Sequence, residues 1–269
     1  MYFGLLVKKS KEAEMFSKKL IKWLKKRDIL AKTINPETDN IKEYDVIVVI
    51  GGDGTLLYAS RLLKGEKKPI LGINMGGLGF LTEIAPDEAF KVVECFLSNS
   101  CKISERMMCD VKLFRKNKLI KSATVLNDAV ITKGNLARMI ELETFVNDSF
   151  LSKYRSDGLI VSTPTGSTAY VLSAGGPIIT PDVNCMILCP ICPHTLTHRP
   201  IVIASEAKIE IVIKSGSDVF LTLDGQEGHP LSQYDKIVVT KSDKKTFIVN
   251  SPFKNYFEIL NNKLRWGER

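Results

Sequence analysis

The stretch "DVIVVIGGDGTLL", Asp45 to Leu57, decides how the chain is read. An apolar run, Val46 to Ile50, ends in Gly51-Gly52-Asp53-Gly54-Thr55, and a helical pattern then runs from about Thr55 to Leu63. A near-continuous apolar run is the mark of a strand in a parallel sheet covered on both faces. Glycines suit a chain that turns tightly or lets a ligand come close. Ligands of open α/β sheets bind outside the carboxyl ends of the strands, and the N–H groups at a helix start suit phosphate oxygens. The turn has neither the G-x-x-x-x-G-K-[ST] of a P-loop nor the G-x-G-x-x-G of dinucleotide folds. Asp53 is open to two readings. It caps the following helix, as aspartate does well, or it is a carboxylate placed for chemistry among glycines that make room for a ligand.

Outward from this turn, apolar runs alternate with helical patterns. Strands are expected at Tyr2–Val7, Ile29–Ile34, Asp45–Ile50 and Pro69–Ile73. The Lys-rich segment after the first strand is amphipathic, with Met15, Phe16, Leu20, Trp23 and Leu24 on its apolar face. A further helix is expected over Pro86–Leu97, with Pro86 in its first turn. Such alternation implies a parallel sheet. From about Cys101 the period changes to two: Ile209, Ile211 and Ile213, then Val219, Leu221 and Leu223, alternate with polar residues. Arg115–Lys118 reads as a hairpin tip, and the region as antiparallel all-β. Short helices are expected near Ser167–Ser173 and after Pro252. The expected fold is α/β plus all-β. Residues 1–100 form a Rossmann-like α/β domain with a parallel sheet, on which the tail from about 250 to 269 packs. Residues 101–249 form an antiparallel β-sandwich-like domain, with the active site in the cleft between the two.

Composition narrows the classes. The 269 residues, 44% hydrophobic and 25% charged, suffice for two domains. No run of about 18 apolar residues occurs, so a transmembrane helix is not expected. The amino-terminal charges follow a short apolar segment, the reverse of a secretory signal, and the chain reads as cytoplasmic. Six cysteines are then expected as thiols, mostly buried. The net charge of +8 favours anionic partners, but much of it lies on the solvated face of one helix. With no zinc-finger spacing and no aromatic-basic platform, neither nucleic acid nor a membrane is an expected partner.

Four other segments carry candidate chemistry. "GINMGGLGFL", Gly72 to Leu81, gathers Asn74 and four glycines at the carboxyl end of the next strand. In "LNDAVITKG", Asn127-Asp128 sits between apolar runs, where an unpaired carboxylate is costly to bury. "YRSDGLIVSTPTGSTAY", Tyr154 to Tyr170, gathers Thr163, Thr165, Gly166, Ser167 and Thr168 at a helix start, and such hydroxyls and N–H groups suit ribose and phosphate oxygens. Cys185, Cys189, Cys192, His194 and His198 have zinc-binding residue types, but C-x₃-C-x₂-C is not a standard ligand spacing, and buried thiols are the better reading.

Taken together, "GGDGTLL", "GINMGGLGFL", "LNDAVI", "SDGLIVSTPTGSTAY" and "PICPHTLTHRP" closely resemble the NAD kinase family. The GGDG element is shared with lipid kinases and phosphofructokinases; the motif from Asp157 to Tyr170 makes the match specific. The resemblance implies Mg²⁺-dependent transfer of a phosphoryl group from ATP to the 2′-hydroxyl of the adenosine ribose of NAD, in a homodimer or homotetramer. Asp53 would be the catalytic carboxylate, as base, as anchor of metal-bound water, or as both. Gly54, Asn127, Asp128, Arg138, Arg155, Asp157, Thr168, Ala169, Tyr170, Ser173 and Gln226 would contact NAD. Asn127 and Asp128 would face the adenosine end. Gly51, Gly52, Thr55, Asn74, Thr165, Gly166 and Ser167 complete the candidate binding set, and no residue is expected to hold the metal directly. The alternatives are a GGDG-type kinase with a lipid or sugar acceptor, and a non-catalytic NAD-binding sensor.

Overall fold

Each apolar run expected as a strand in the first hundred residues is one. In the computed structural model, which describes residues 1–134, 138–195 and 197–266, the first elements are β1 (Tyr2–Val7), α1 (Lys11–Lys25), β2 (Leu30–Thr33), β3 (Val46–Gly51), α2 (Asp53–Leu63), β4 (Pro69–Asn74) and α3 (Ala89–Leu97). The strands pair in parallel in the order β2-β1-β3-β4. Val46 to Ile50 are at most 1% exposed, as a strand covered on both faces requires. The register sets Gly51 of β3 opposite Asn74 of β4. The two glycine-bearing loops therefore leave neighbouring strands at the same end of the sheet.

Two helices differ from the pattern. The inward stripe of α1 is Ala13, Ser17, Leu20 and Leu24, at helical spacing. Met15, expected on that face, is 52% exposed, while Phe16 and Trp23 lie at its edge against Phe90. Helix α3 begins at Ala89, not Pro86, because Pro86–Glu88 form a turn whose Glu88 carboxylate accepts the Ala85 N–H.

The chain then continues through β5 (Ile103–Arg115), β6 (Lys118–Val125), β7 (Asp128–Lys133), β8 (Ile140–Val146), β9 (Ser149–Ser156) and β10 (Gly158–Ser162). A 3₁₀ turn at Thr165–Thr168 leads into α4 (Tyr170–Ser173), where one short helix was expected. Next come β11 (Cys185–Ile191), β12 (Ile201–Ala204), β13 (Ile209–Ser215), β14 (Val219–Leu223), β15 (Glu227–Leu231), β16 (Lys236–Val249) and α5 (Tyr256–Leu264). Two compact units result: Met1–Glu105 with the chain from Lys245 onward, and Arg106–Lys244. In the first, the end of β16 adds Phe247 and Ile248 parallel to Pro69 and Ile70 of β4.

In the second unit the strands of both layers pair antiparallel. One sheet runs β12-β11-β10-β7-β14-β15. Facing it, β13 lies between β8 and the start of β16, with β9 outside β8. Ile131, Leu159 and Leu221 of the first sheet share one buried cluster with Leu142, Ile211 and Val239 of the second, a sandwich core. The β5–β6 hairpin turns at Lys116-Asn117, both at positive φ, as a two-residue turn matched to strand twist demands. Among the described residues, no helix is long and apolar enough to cross a membrane.

At the centre of this sheet Gly158 sits between β7 and β11, and a Cβ there would overlap the Ile131 carbonyl oxygen and lie 3.0 Å from Ile191 Cδ1. Backbone in a paired strand cannot move aside cheaply. Gly158→Ala is expected to cost on the order of 2 kcal/mol or more, measured as a lower urea midpoint with unchanged slope.

Candidate active site

Helix α2 begins at Asp53, with Gly52 as its N-cap and no side-chain cap. The capping role open to Asp53 in the sequence is therefore not the one it takes. Its carboxylate instead reaches the loop after β4. The Leu81 N–H (3.1 Å), the Thr82 N–H (2.9 Å) and the Thr82 hydroxyl (2.8 Å) donate to Oδ1, and the Phe80 N–H (2.9 Å) donates to Oδ2. A carboxylate offers about four acceptor positions, two on each oxygen. Among the described residues Oδ1 takes three donors and is saturated, whereas Oδ2 takes one and keeps a position open.

Asn74 braces this arrangement. Its amide donates to the Thr82 hydroxyl (2.8 Å), and its Oδ1 accepts the Gly76 N–H (2.7 Å). Asn74, expected to bind substrate, thus commits its side chain to the loop. Gly79 is needed because a Cβ there would overlap Asp53 Oδ1. Gly52 and Gly77 are different: among the described residues, a Cβ on either meets nothing within 4 Å. A cavity of about 300 Å³ opens at this point, lined by Lys8, Gly52, Asp53, Asn74, Gly77 and Lys263 among others. The two lysines were not singled out by the sequence. Lys8 follows β1 and Lys263 lies far along the chain on α5, so no motif joins them. Lys263 Nζ sits 5.7 Å from the centre of the Phe80 ring.

In the second unit the candidate residues fall into two groups. Asn127 and Asp128, at the start of β7, are 8% and 4% exposed. The Asn127 carbonyl accepts the Thr163 N–H (2.9 Å) and the Ser162 hydroxyl (3.0 Å), and Gly166 packs so closely that a Cβ would overlap that carbonyl. The hydroxyls of the Thr/Ser run largely serve the fold. Thr163 donates to the Leu126 carbonyl and accepts the Gly166 N–H, and Ser167 exchanges hydrogen bonds with the Ile179 backbone. Thr165, Gly166 and Ser167 are buried, so solvent reaches this run chiefly at Thr168, Ala169, Tyr170 and Ser173. Gln226 is exposed beside this end of the sheet, in the β14–β15 turn.

Arg138, Arg155 and Asp157 gather elsewhere, around a cavity of about 670 Å³ that Lys133 also lines. Lys133 pairs with Asp157 at 2.9 Å. Asp128 and Lys133 begin and end β7, which separates the two groups by about 17 Å at strand rise.

Burial and the neighbouring Asp224 push the Asp128 carboxyl up to about 7. No group of three or more His, Cys, Asp or Glu is placed to hold a metal among the described residues. Cys185 and Cys189 are buried thiols on β11, but Cys192 is exposed beyond its end, and Cys95 and Cys101 are only half-buried. The "PICPHTLTHRP" segment includes Leu196, outside the described residues.

Two family models match the chain: the ATP-NAD kinase N-terminal domain over residues 7–100 and the ATP-NAD kinase C-terminal domain over 126–251. The chain belongs to the NAD kinase family. It is 53% identical to an NAD kinase of Trichlorobacter lovleyi over 227 residues, 84% of this chain and 80% of that one. It is 48% identical to an NAD kinase of Geotalea daltonii over 266 residues, 94% of each chain. Among solved structures, yeast NADH kinase complexed with NADH matches with a TM-score of 0.87 at 25% identity, covering 100% of this chain and 89% of that one. An NAD kinase from Archaeoglobus fulgidus in complex with ATP matches with a TM-score of 0.81 at 27% identity, covering 98% and 99%. Membership sets aside the lipid- or sugar-acceptor alternative and the non-catalytic sensor.

The raised Asp128 carboxyl has a consequence for stability. Between the ordinary carboxylate range and about 7 the folded chain holds a proton that the unfolded chain has lost. Stability therefore falls as pH rises through that window. Asp128→Asn removes the effect, so its stability relative to the parent is expected to rise by on the order of 2 kcal/mol between pH 5 and pH 8, read from denaturant midpoints at each pH.

Proposed function

We propose that the chain transfers the γ-phosphoryl group of ATP to the 2′-hydroxyl of the adenosine ribose of NAD, and that Asp53 accepts the hydroxyl proton through Oδ2. The ribose oxygen forms the new bond to phosphorus, the bond from the γ-phosphorus to the bridging oxygen breaks, and ADP leaves with NADP as the other product. The observation that carries the reading is the open acceptor position on an otherwise anchored carboxylate, facing glycines with empty space where side chains would stand. A base needs hydrogen-bond reach and a fixed orientation, and phosphoryl transfer depends mostly on positioning and charge stabilisation.

Lys8 and Lys263 border the same cavity, and neither forms an ion pair among the described residues. Their ammonium groups suit the triphosphate. Mg²⁺ usually keeps several waters and takes one or two carboxylates with substrate phosphates. Asp53 Oδ2 fits an outer contact to such an ion, which when bound neutralises charge on the phosphoryl oxygens. Asn127 and Asp128 bind the adenosine end of NAD, and Thr168 to Tyr170 the ribose and nicotinamide side.

Asp53→Asn should keep the fold, at a cost of about 1 kcal/mol for the Phe80 hydrogen bond. It should lower kcat by about 10²- to 10⁴-fold with NAD affinity retained, read as NADP formation from NAD, ATP and Mg²⁺ with an NADP-specific dehydrogenase. Gly52→Ala should leave stability within about 0.5 kcal/mol yet remove most turnover. An active Gly52→Ala enzyme would show that no substrate fills that space.

Assembly as a homodimer or homotetramer completes the proposal. The outer strands β9 and β12 carry exposed Phe150 and Val202, and sheet edges need cover. A second copy can also bring the Arg138–Asp157 group to a ligand held at Asn127–Asp128. Light scattering after size exclusion should give two or four times the 30.0 kDa chain mass; a monomer would refute it.

A further inference from the structure

One buried carboxylate near the NAD-binding residues has no part in the mechanism above. Asp224, 8% exposed, opens the β14–β15 turn with φ of +50°, followed by Gly225 at +64°. Its side chain accepts three consecutive backbone N–H groups of the segment entering β7. Leu126 donates to Oδ2 at 3.0 Å, and Asn127 and Asp128 donate to Oδ1 at 2.7 and 3.1 Å. In return the Asp224 N–H donates to the Asp128 carbonyl at 3.0 Å. Four bonds thus join one turn residue to the Leu126–Asp128 segment.

A turn of this type requires positive φ at both central residues, which asparagine or aspartate followed by glycine satisfies. That explains an Asx residue at position 224 but not the anion. A charge set beside Asp128 works against it, since Asp224 helps push the Asp128 carboxyl up. Such a cost is understandable if the geometry it enforces is needed. The bonded segment presents side chains with unfilled hydrogen-bonding capacity. Asn127 Oδ1 is buried and has no partner among the described residues. Buried polar atoms without partners are uncommon, and a ligand is one way of satisfying them. With the backbone gripped at three successive N–H groups, these side chains are aimed before any ligand arrives, which lowers the ordering cost of binding.

We infer that Asp224 is a positioning residue that fixes Asn127 and Asp128 for the adenosine end of NAD. The inference rests on the proposed function, in which that pair binds NAD. Asp224 acts through the backbone and does not itself touch substrate.

The test uses Asp224→Asn and Asp224→Ala in the full chain. Asparagine keeps the turn preference and one acceptor oxygen but turns an N–H₂ group toward the Leu126 N–H. Alanine removes every acceptor. The KM for NAD should rise by about tenfold in Asp224→Asn and more in Asp224→Ala. The KM for ATP should stay within about twofold, and Asp224→Asn should keep cooperative unfolding. Equal rises in both KM values, or a KM for NAD that does not change in a folded variant, would overturn the inference. Parent enzyme that makes no NADP would instead overturn the proposed function, so the two failures are distinct. If Asp224→Ala does not fold, the KM split in Asp224→Asn alone decides.

Discussion

A single carboxylate held by the backbone of a neighbouring loop organises the first unit's site. Asp53 starts a helix, where its charge suits the positive end of the dipole. Its hydrogen bonds run sideways to Phe80, Leu81 and Thr82. That grip is possible because β3 and β4 are parallel neighbours, with Gly51 opposite Asn74, so their loops emerge together. It also needs Gly79, since any side chain there would displace the carboxylate, and Asn74, which holds the Thr82 hydroxyl in line. The glycines of the two loops therefore have two separate causes. Gly79 makes room for Asp53, whereas Gly52 and Gly77 stand where a Cβ would meet nothing within 4 Å among the described residues.

Much of the fold was legible because local pattern and global layer agree. Val46–Ile50 had to be buried on both faces, and the period-two runs around Ile211 and Leu221 had to face a common core. The misreadings lie where a local rule met a competing contact. Met15 fits an apolar stripe by type but stands off the line set by Ala13, Ser17, Leu20 and Leu24. Pro86 is a natural first-turn residue, yet Glu88 bonds back to Ala85 and delays the helix.

The site was legible as a set of segments and less so as a geometry. The motifs mark out candidate loops, but they do not say whether a polar side chain serves a ligand or the fold. Asn74, Thr163 and Ser167 are bound up in loop hydrogen bonds, a division of labour set by the pairing of distant segments. Lys8, Lys263 and Asp224 escaped notice for the same reason. Each joins its site from another part of the chain, and Asp224 in an Asp-Gly turn carries no visible sign that its carboxylate is spent elsewhere.

Asp224 and Asp128 together illustrate a conflict between stability and placement. Burial and the neighbouring Asp224 raise the cost of charging Asp128, which sits near its ionisation point at neutral pH. Fully satisfied backbone bonds to Asp224 offset the desolvation of one anion but give nothing to the other. A chain selected for stability alone would place an asparagine at one of the two positions. Retaining both carboxyls makes sense if one must hold backbone N–H groups firmly while the other must stay free to meet a ligand.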